Sequence, residues 1–157
     1  ILRFFNVYGP NSTAVIARFI AQQLQNKPIT IYGNGSQKRD FIHVDDLNRA
    51  ILKMINSNKG NNQTFNVGSG VATGILDLKD LISKNHKHIF LERRSDDIEI
   101  SIANIDKIKK KLNWKPGVSF RNGVDDMIKV DKFNLQNMNL PTIDSQKKLL
   151  KKFNNSK

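Results

Sequence analysis

The sequence predicts an α/β fold, because short apolar segments of strand type alternate with longer segments whose apolar residues recur at helical spacing. Breaks that contain Gly, Pro or Asn separate these segments, as is usual between strands and helices. The strand-type segments are too few and too short for a complete doubly wound parallel sheet. We therefore expect part of an α/β architecture, with the rest of the sheet lying outside these 157 residues.

The predicted elements alternate in type along most of the chain. In order they are a buried strand over residues 1–7, a helix over 14–26, strands over 29–32 and 41–44, a helix from 45 to 55, a strand over 65–67, a helix over 76–85, a strand over 88–91, and helices over 104–112 and 123–133. Several ends carry residues that stop or start a helix: Pro28 lies beyond the first helix, and Asp45 is the expected N-cap of the second. Asn113 can adopt the left-handed conformation that ends a helix.

The amino-acid composition changes near residue 134, which predicts one folded lobe followed by a tail. We expect residues 1–133 to form the lobe and the Asn- and Lys-rich residues 134–157 to be poorly ordered. The chain opens on an apolar run without a Met, so we also expect it to be cut from a longer protein whose N-terminal part is missing.

The net charge of +12 would suit an anionic partner, such as nucleic acid or a phosphate-bearing small molecule. Many of the lysines lie in residues 107–111 and 147–152, with few aromatic residues between them for base stacking. This distribution favours a solvated face or tail over a nucleic-acid-binding surface.

The absence of cysteine excludes disulfides and thiolate metal sites, and the three histidines show no metal-ligand spacing. We therefore predict no metal site. No apolar run approaches the roughly 20 residues that a membrane span needs, and no secretory signal is recognisable. A cytoplasmic location is the resulting expectation.

Residues 68–73 form a near-match to the glycine-rich dinucleotide fingerprint, between a predicted strand and a predicted helix. The third glycine is absent, and Thr73 stands where close packing of helix and strand requires no side chain. The preceding strand is also barely three residues long. We favour an ordinary strand-to-helix turn.

Four sequence stretches, taken together, indicate a protein family more specifically than the near-match at residues 68–73 does. They are L-R-F-F-N-V-Y-G-P at 2–10, P-I-T-I-Y-G-N-G-S-Q-K-R-D-F-I-H-V-D-D-L at 28–47, F-N-V-G-S-G at 65–70, and R-R-S-D-D at 93–97 running on to L-N-W-K-P at 112–116. In order and spacing they resemble the C-terminal half of the extended short-chain dehydrogenase superfamily, the NAD-dependent epimerases and dehydratases of sugar nucleotides. The resemblance covers about residues 1–128. It implies the end of a Rossmann-like sheet and a small α/β substrate-binding domain.

The resemblance also implies site residues. For the sugar nucleotide these are Asn6 as a substrate contact, Val15 and Ile16 at a helix start, Thr30, Ile31 and Tyr32 on the strand along the base, and Arg39 and Arg94 at the phosphates and nucleotide. Phe5 matches a contact to the nicotinamide end of NAD. The side-chain chemistry of Arg39 suits this role, because its planar guanidinium can hold two pyrophosphate oxygens. The alternative is a surface ion pair between Arg39 and Asp40.

The chain departs from the family pattern at three places. The loop between Pro10 and Val15 is shorter than usual, and Asn113 replaces a usual Gly, which its capping role makes harmless. Asp96 also replaces a usual Gly, in the R-x-G-D motif. It brings a carboxylate beside Arg94, which we expect to weaken the hold of that arginine on phosphate.

Catalysis in the family requires an N-terminal glycine-rich NAD loop and a Tyr-x-x-x-Lys pair whose phenolate is the base. The two tyrosines here, Tyr8 and Tyr32, are followed four residues later by Ser12 and Ser36. We therefore expect the base and the main NAD site to lie upstream of Ile1, and this chain alone to be inactive.

The leading interpretation is the sugar-nucleotide-binding part of an NAD-dependent nucleotide-sugar epimerase that acts on a UDP-sugar, with a homodimeric full-length enzyme implied by the resemblance. A sugar-nucleotide 4,6-dehydratase or a decarboxylase of the same family is the first alternative. A truncated non-catalytic nucleotide-binding module and a basic nucleic-acid-binding protein are alternatives of another class.

Overall fold

The computed structural model describes residues 1–155 and confirms the α/β class. The strands are β1 Leu2–Phe4, β2 Asn6–Tyr8, β3 Ile29–Tyr32, β4 Lys38–Arg39, β5 Phe41–His43, β6 Phe65–Val67, β7 Thr73–Gly74, β8 His88–Leu91 and β9 Ile100–Ser101. The helices are α1 Val15–Leu24, α2 Val44–Ile55, α3 Ile75–Ser83, α4 Asp106–Leu112, α5 Phe120–Gln136 and α6 Ile143–Asn154, with a short 3₁₀ turn at Asn58–Gly60.

The strands pair mainly in parallel. Strand β1 pairs with β6, β2 with β5, and β3 with β8, while β4 lies antiparallel to β7 and parallel to β9. Parallel neighbours need long crossover connections, and here helices α1, α2 and α3 lie between the paired segments. This connectivity is the α/β alternation that the sequence predicts.

The first seven residues form two strands, where the sequence predicted one buried strand. The backbone N–H of Phe5 donates to the Val67 carbonyl (3.0 Å), whereas that of Asn6 donates to the Asp40 carbonyl (3.1 Å). The chain therefore changes partners between these two residues. Phe4 is 50% exposed and not part of the core.

Two clusters of buried apolar residues form the core. The first packs α1, β3, α3 and α5 together, through side chains that include Phe19, Ile31, Leu78, Met127 and Leu135. The second packs β5, α2, β6 and α4, through side chains that include Ile42, Leu47, Phe65, Ile108 and Trp114. Buried apolar area of this kind is the main favourable term in folding. No helix within residues 1–155 is both long and apolar enough to span a membrane.

The buried carboxylate of Asp46 joins helix α2 to the segment after α4. It accepts hydrogen bonds from the backbone N–H groups of Gly117 and Val118 (both 3.0 Å) and forms an ion pair with Arg49. The Trp114 indole N–H donates to the backbone carbonyl of the same aspartate (3.2 Å). The aspartate thus fixes the position of the chain that leads into α5.

The ends of two helices can be compared with their predicted caps. Asn113 has the left-handed conformation (φ 46°, ψ 45°) and ends α4, as predicted. The predicted cap Asp45 is wrong: α2 begins at Val44, and the cap is His43, whose Nδ1 accepts the Asp45 N–H at 3.3 Å. Asp45 instead lies in the first turn, where its negative charge suits the helix dipole.

The C-terminal segment differs most from the sequence-based expectation. Residues 134–136 continue α5, and residues 143–154 form α6, so the expected boundary at 133 falls inside a helix. Leu135 is fully buried in the first core cluster, and Leu150 and Gln146 on α6 are buried as well. One apolar residue per turn on a Lys-rich helix was too weak a pattern to indicate this packing.

We predict that α6 contributes to stability through Leu150. Leu150→Ala should lower the free energy of unfolding by about 2 kcal/mol or more, because it removes a buried side chain. Leu149→Ala is the matched control: this neighbour is 64% exposed against 4% for Leu150, and its loss should cost less than about 0.5 kcal/mol. Urea unfolding of both variants measures the difference; equal small losses would mean that α6 does not dock in solution.

Candidate functional site

A cavity of about 290 Å³ lies between the start of α1, strand β3 and the segment that comes after β8. Seven of the residues predicted for the site line it: Asn6, Val15, Thr30, Ile31, Tyr32, Arg39 and Arg94. Residues from separate stretches of sequence therefore meet at one concave surface. Concave sites with a few convergent polar groups are the usual form of small-molecule sites.

Two predicted residues lie elsewhere. Ile16, expected beside the sugar nucleotide, belongs to the first core cluster and is fully buried. Phe5, expected beside nicotinamide, is half-buried and packs against the second core cluster. Successive residues on a helix point in different directions, so Val15 lines the cavity while the next residue packs inside.

Six further residues line the cavity that sequence reasoning did not assign to it: Ala14, Arg18, Phe19, Gln37, Ile75 and Asp97. Arg18 lies three residues after Val15, a spacing that places both on the same helix face. This spacing could have indicated from the sequence that Arg18 lies beside Val15 at the site. Asp97 directly follows Asp96, the residue expected to affect Arg94; Asp96 is exposed and does not line the cavity.

A buried amide holds α1 against β3. The Gln22 Nε2 donates to Thr30 Oγ1 (2.9 Å), and the Thr30 backbone N–H donates to Gln22 Oε1 (3.2 Å). Both residues are buried, so these bonds fix the helix relative to the strand without competition from water. The two walls of the cavity, α1 and β3, are thereby held in a fixed relative position.

Arg39 is paired inside the cavity with Asp97. Its Nη2 donates to one oxygen of that carboxylate, and its Nη1 donates to the Lys38 carbonyl (2.9 Å). Gln37 Nε2 donates to the other oxygen of Asp97 (2.9 Å). The alternative of a surface pair with Asp40 is wrong, because Asp40 is completely buried and bonded to other groups.

Tyr32 lies between two arginines and the C-terminal helix. The Cζ atoms of Arg94 and Arg18 lie 4.6 and 5.4 Å from the centroid of its ring. Its hydroxyl donates to Gln146 Oε1 on α6 (2.9 Å), and Gln146 Nε2 donates to the Pro141 carbonyl (3.0 Å). The ring is therefore held at one end by α6, while two guanidiniums contact it in the cavity.

The same helix supports the segment that carries Arg94. Asn154 Nδ2 donates to the Arg93 carbonyl (3.2 Å), and the Ser95 backbone N–H donates to Asn154 Oδ1 (3.1 Å). One side chain thus bonds the backbone on both sides of Arg94. The predicted disordered tail is instead a support of the candidate site.

The electrostatics of the cavity are cationic. Three arginines line it, and Asp97 is its one carboxylate within the described residues 1–155. Burial lowers the pKa of Arg18, and the nearby charge of Arg94 lowers the pKa further, although the guanidinium stays protonated. No group of three or more His, Cys, Asp or Glu side chains in this part of the chain could hold a metal ion. The cavity is therefore suited to an anion.

Asp40 directly follows the cavity residue Arg39, and its side chain connects several backbone segments. Its carboxylate accepts the backbone N–H and hydroxyl of Ser69 (2.6 and 2.7 Å) and the N–H groups of Gly70 (2.9 Å) and Ala103 (3.0 Å). A Cβ on Gly68 would come within 2.7 Å of the same carboxylate, which explains glycine there. The glycine-rich turn therefore uses its N–H groups to bind Asp40, as an ordinary structural turn.

We predict that Asp40→Asn strongly destabilises the fold. The amide would face donors with an N–H₂ group and lose charge-assisted bonds that contribute about 1.5–3 kcal/mol each, so the loss should reach about 3 kcal/mol or more. Asp126→Asn, at an exposed position of α5, is the control and should be nearly neutral. Urea unfolding compares them; a loss below about 1 kcal/mol for Asp40→Asn would contradict the assigned role.

Comparison with known protein families places these features in context. Residues 1–68 match the model of the NAD dependent epimerase/dehydratase family. Among curated proteins, the chain is 34% identical over 146 residues to UDP-glucuronate 4-epimerase of Thermodesulfobacterium geofontis, covering 87% of this chain and 44% of that protein. It is 33% identical over 137 residues to UDP-glucuronic acid decarboxylase 1 of Arabidopsis thaliana, covering 82% and 31%.

Solved structures give the same family. UDP-glucose 4-epimerase from Thermotoga maritima, solved with UDP-glucose, has a TM-score of 0.79 and 32% identity, covering 85% of this chain and 46% of that one. UDP-glucuronic acid 4-epimerase from Bacillus cereus, in complex with UDP-glucuronic acid and NAD, has a TM-score of 0.75 and 33% identity, covering 82% and 44%. The chain spans less than half the length of each of these relatives.

Proposed function

Because the chain belongs to the NAD-dependent epimerase/dehydratase family, we propose that it is the sugar-nucleotide-binding part of a UDP-sugar 4-epimerase. The observation that carries the proposal is the cationic cavity between α1, β3 and the segment after β8. In the proposed reaction NAD transiently oxidises the sugar and then returns the hydride to it.

The arginines of the cavity suit the pyrophosphate of a UDP-sugar. Phosphate oxygens match the planar donor fork of a guanidinium, and charge-assisted bonds of this kind are roughly twice as strong as neutral ones. Arg39 and Arg94 come from different segments and meet at the same cavity, so they can engage a ligand from two sides. Thr30 and Ile31 line the same cavity on the strand that the resemblance assigns to the base, and Asn6 lines it as the expected substrate contact.

A UDP-glucuronate decarboxylase is the second candidate, because a relative with that name is as similar as the epimerase relatives. The two activities share the oxidised sugar and differ in the step after its oxidation. The cavity residues bind the part that both substrates have in common. A 4,6-dehydratase has no comparable support among these relatives.

We propose that the main NAD site and the base lie in a part of the full-length enzyme outside these 157 residues. Neither tyrosine has a lysine four positions later. Burial, with the charge of Asp46, raises the pKa of Tyr8 well above its usual range, which is the opposite of what a phenolate base needs. The glycine-rich turn after β6 fits a dinucleotide poorly, because Asp40 already occupies its N–H groups.

The first test of this proposal is the activity of the chain itself. The 157-residue chain should bind UDP-glucose or UDP-glucuronate in calorimetry but neither convert them nor bind NAD tightly, because a phosphate-cradling loop for NAD is lacking. Epimerisation above background by the purified chain would contradict the assignment of the base to another part. Failure to bind any UDP-sugar would contradict the proposed function.

The second test concerns Arg39. Arg39→Ala should weaken UDP-sugar binding by about 10- to 150-fold, the equivalent of losing roughly 1.5–3 kcal/mol of charged hydrogen bonding. Arg39→Lys should restore part of this affinity, since it keeps the charge but loses the two-pronged geometry. The control is Arg121→Ala, at an exposed position on α5 outside the cavity.

Thermal melts of the same variants separate binding from structure. If Arg39 serves only to hold Asp97, its replacement should change the melting temperature and leave the dissociation constant for the UDP-sugar as it was. That result would show that the pyrophosphate binds elsewhere.

A further inference from the structure

Arg18 is a cation without an anionic partner in the wall of the cavity. Its side chain makes no hydrogen bond or ion pair with any residue in the described range 1–155, and its Nε is buried. Its contacts are with aromatic faces: its Cζ lies 5.4 Å from the ring centroid of Tyr32 and 6.0 Å from that of Phe19. A partly buried guanidinium without an anionic partner carries a desolvation cost, which its aromatic contacts offset only in part.

The neighbours of Arg18 increase this cost. Arg94 lies over the same Tyr32 ring, at 4.6 Å from its centroid, so two like charges share one aromatic side chain. The carboxylate of Asp97 is already bonded to Arg39 and Gln37. Burial lowers the pKa of Arg18, the neighbouring Tyr32 partly offsets this effect, and the charge of Arg94 lowers the pKa further.

We propose that Arg18 is a further phosphate-binding residue, which acts with Arg94 to hold the diphosphate of the nucleotide. This inference rests on the proposed function and adds a residue to its site. Both guanidiniums lie at the Tyr32 end of the cavity, so they bind the part of the ligand common to all UDP-sugars. Removing Arg18 therefore weakens binding of UDP-glucose and UDP-glucuronate by the same factor.

The decisive comparison is between UDP and uridine, which differ only in the diphosphate. NMR titration of the complete chain follows both ligands, for the wild type and for Arg18→Met, which keeps an unbranched side chain of similar reach. Arg18→Met should weaken UDP binding by about 10- to 150-fold and leave uridine binding unchanged. Arg121→Met, which removes one exposed positive charge outside the cavity, should change neither.

Thermal melts without ligand give an independent readout. Arg18→Met should melt at the same temperature as the wild type or higher, because it removes a desolvated charge beside Arg94. A lower melting temperature together with equal losses for UDP and uridine would identify Arg18 as a packing residue and overturn the proposal.

The remaining outcomes separate this inference from the function on which it rests. A wild-type chain that binds UDP, with a variant that binds it equally well, overturns the role of Arg18 alone. A wild-type chain that binds neither UDP nor a UDP-sugar contradicts the proposed function, and the role of Arg18 with it.

Discussion

The carboxylate of Asp40 is the constraint on which the arrangement of strands depends. This side chain is completely buried, and it accepts hydrogen bonds from the turn after β6 and from the backbone at Ala103. Its own backbone bonds to Asn6 and Ser101, at the start of β2 and the end of β9. One residue therefore joins three segments that are distant in sequence: the start of β2, the turn after β6, and residues 101–103. A buried charge is tolerated only when its bonding capacity is filled, so each of these segments has little freedom to move.

The charged residues of the stretch over residues 28–47, one of the four that resemble the family, consequently have mainly structural contacts. Asp40 and Asp46 both bind backbone N–H groups, His43 caps α2, and only Arg39 of its charged residues faces the cavity. Most ionisable side chains of this stretch are therefore engaged in bonds that hold the fold together. Its acidic side chains replace regular hydrogen-bond ladders where the strands are only two or three residues long.

Sequence reasoning predicted the α/β class and most helices, because hydrophobic periodicity reports the buried face directly. Seven of nine site residues meet at one cavity because the resemblance supplied their positions together. The Ile16 side chain lies in the core and not in the cavity, because adjacent helix residues face different sides. Arg18 was missed although its spacing from Val15 indicates the same helix face. Helix α6 was missed because its packing depends on contacts with residues far away in sequence, which no local pattern encodes.

Helix α6 bonds the Tyr32 hydroxyl through Gln146 and the backbone around Arg94 through Asn154. For a nucleotide bound as proposed, docking of the helix and occupancy of the cavity are thermodynamically linked, and linkage is reciprocal. Such a nucleotide would favour the docked helix by the same free energy with which the docked helix favours the nucleotide. Amide exchange in α6 would then slow as ligand is added, although Gln146 and Asn154 do not line the cavity. Natural variation at the C-terminal end could tune affinity without altering a cavity residue.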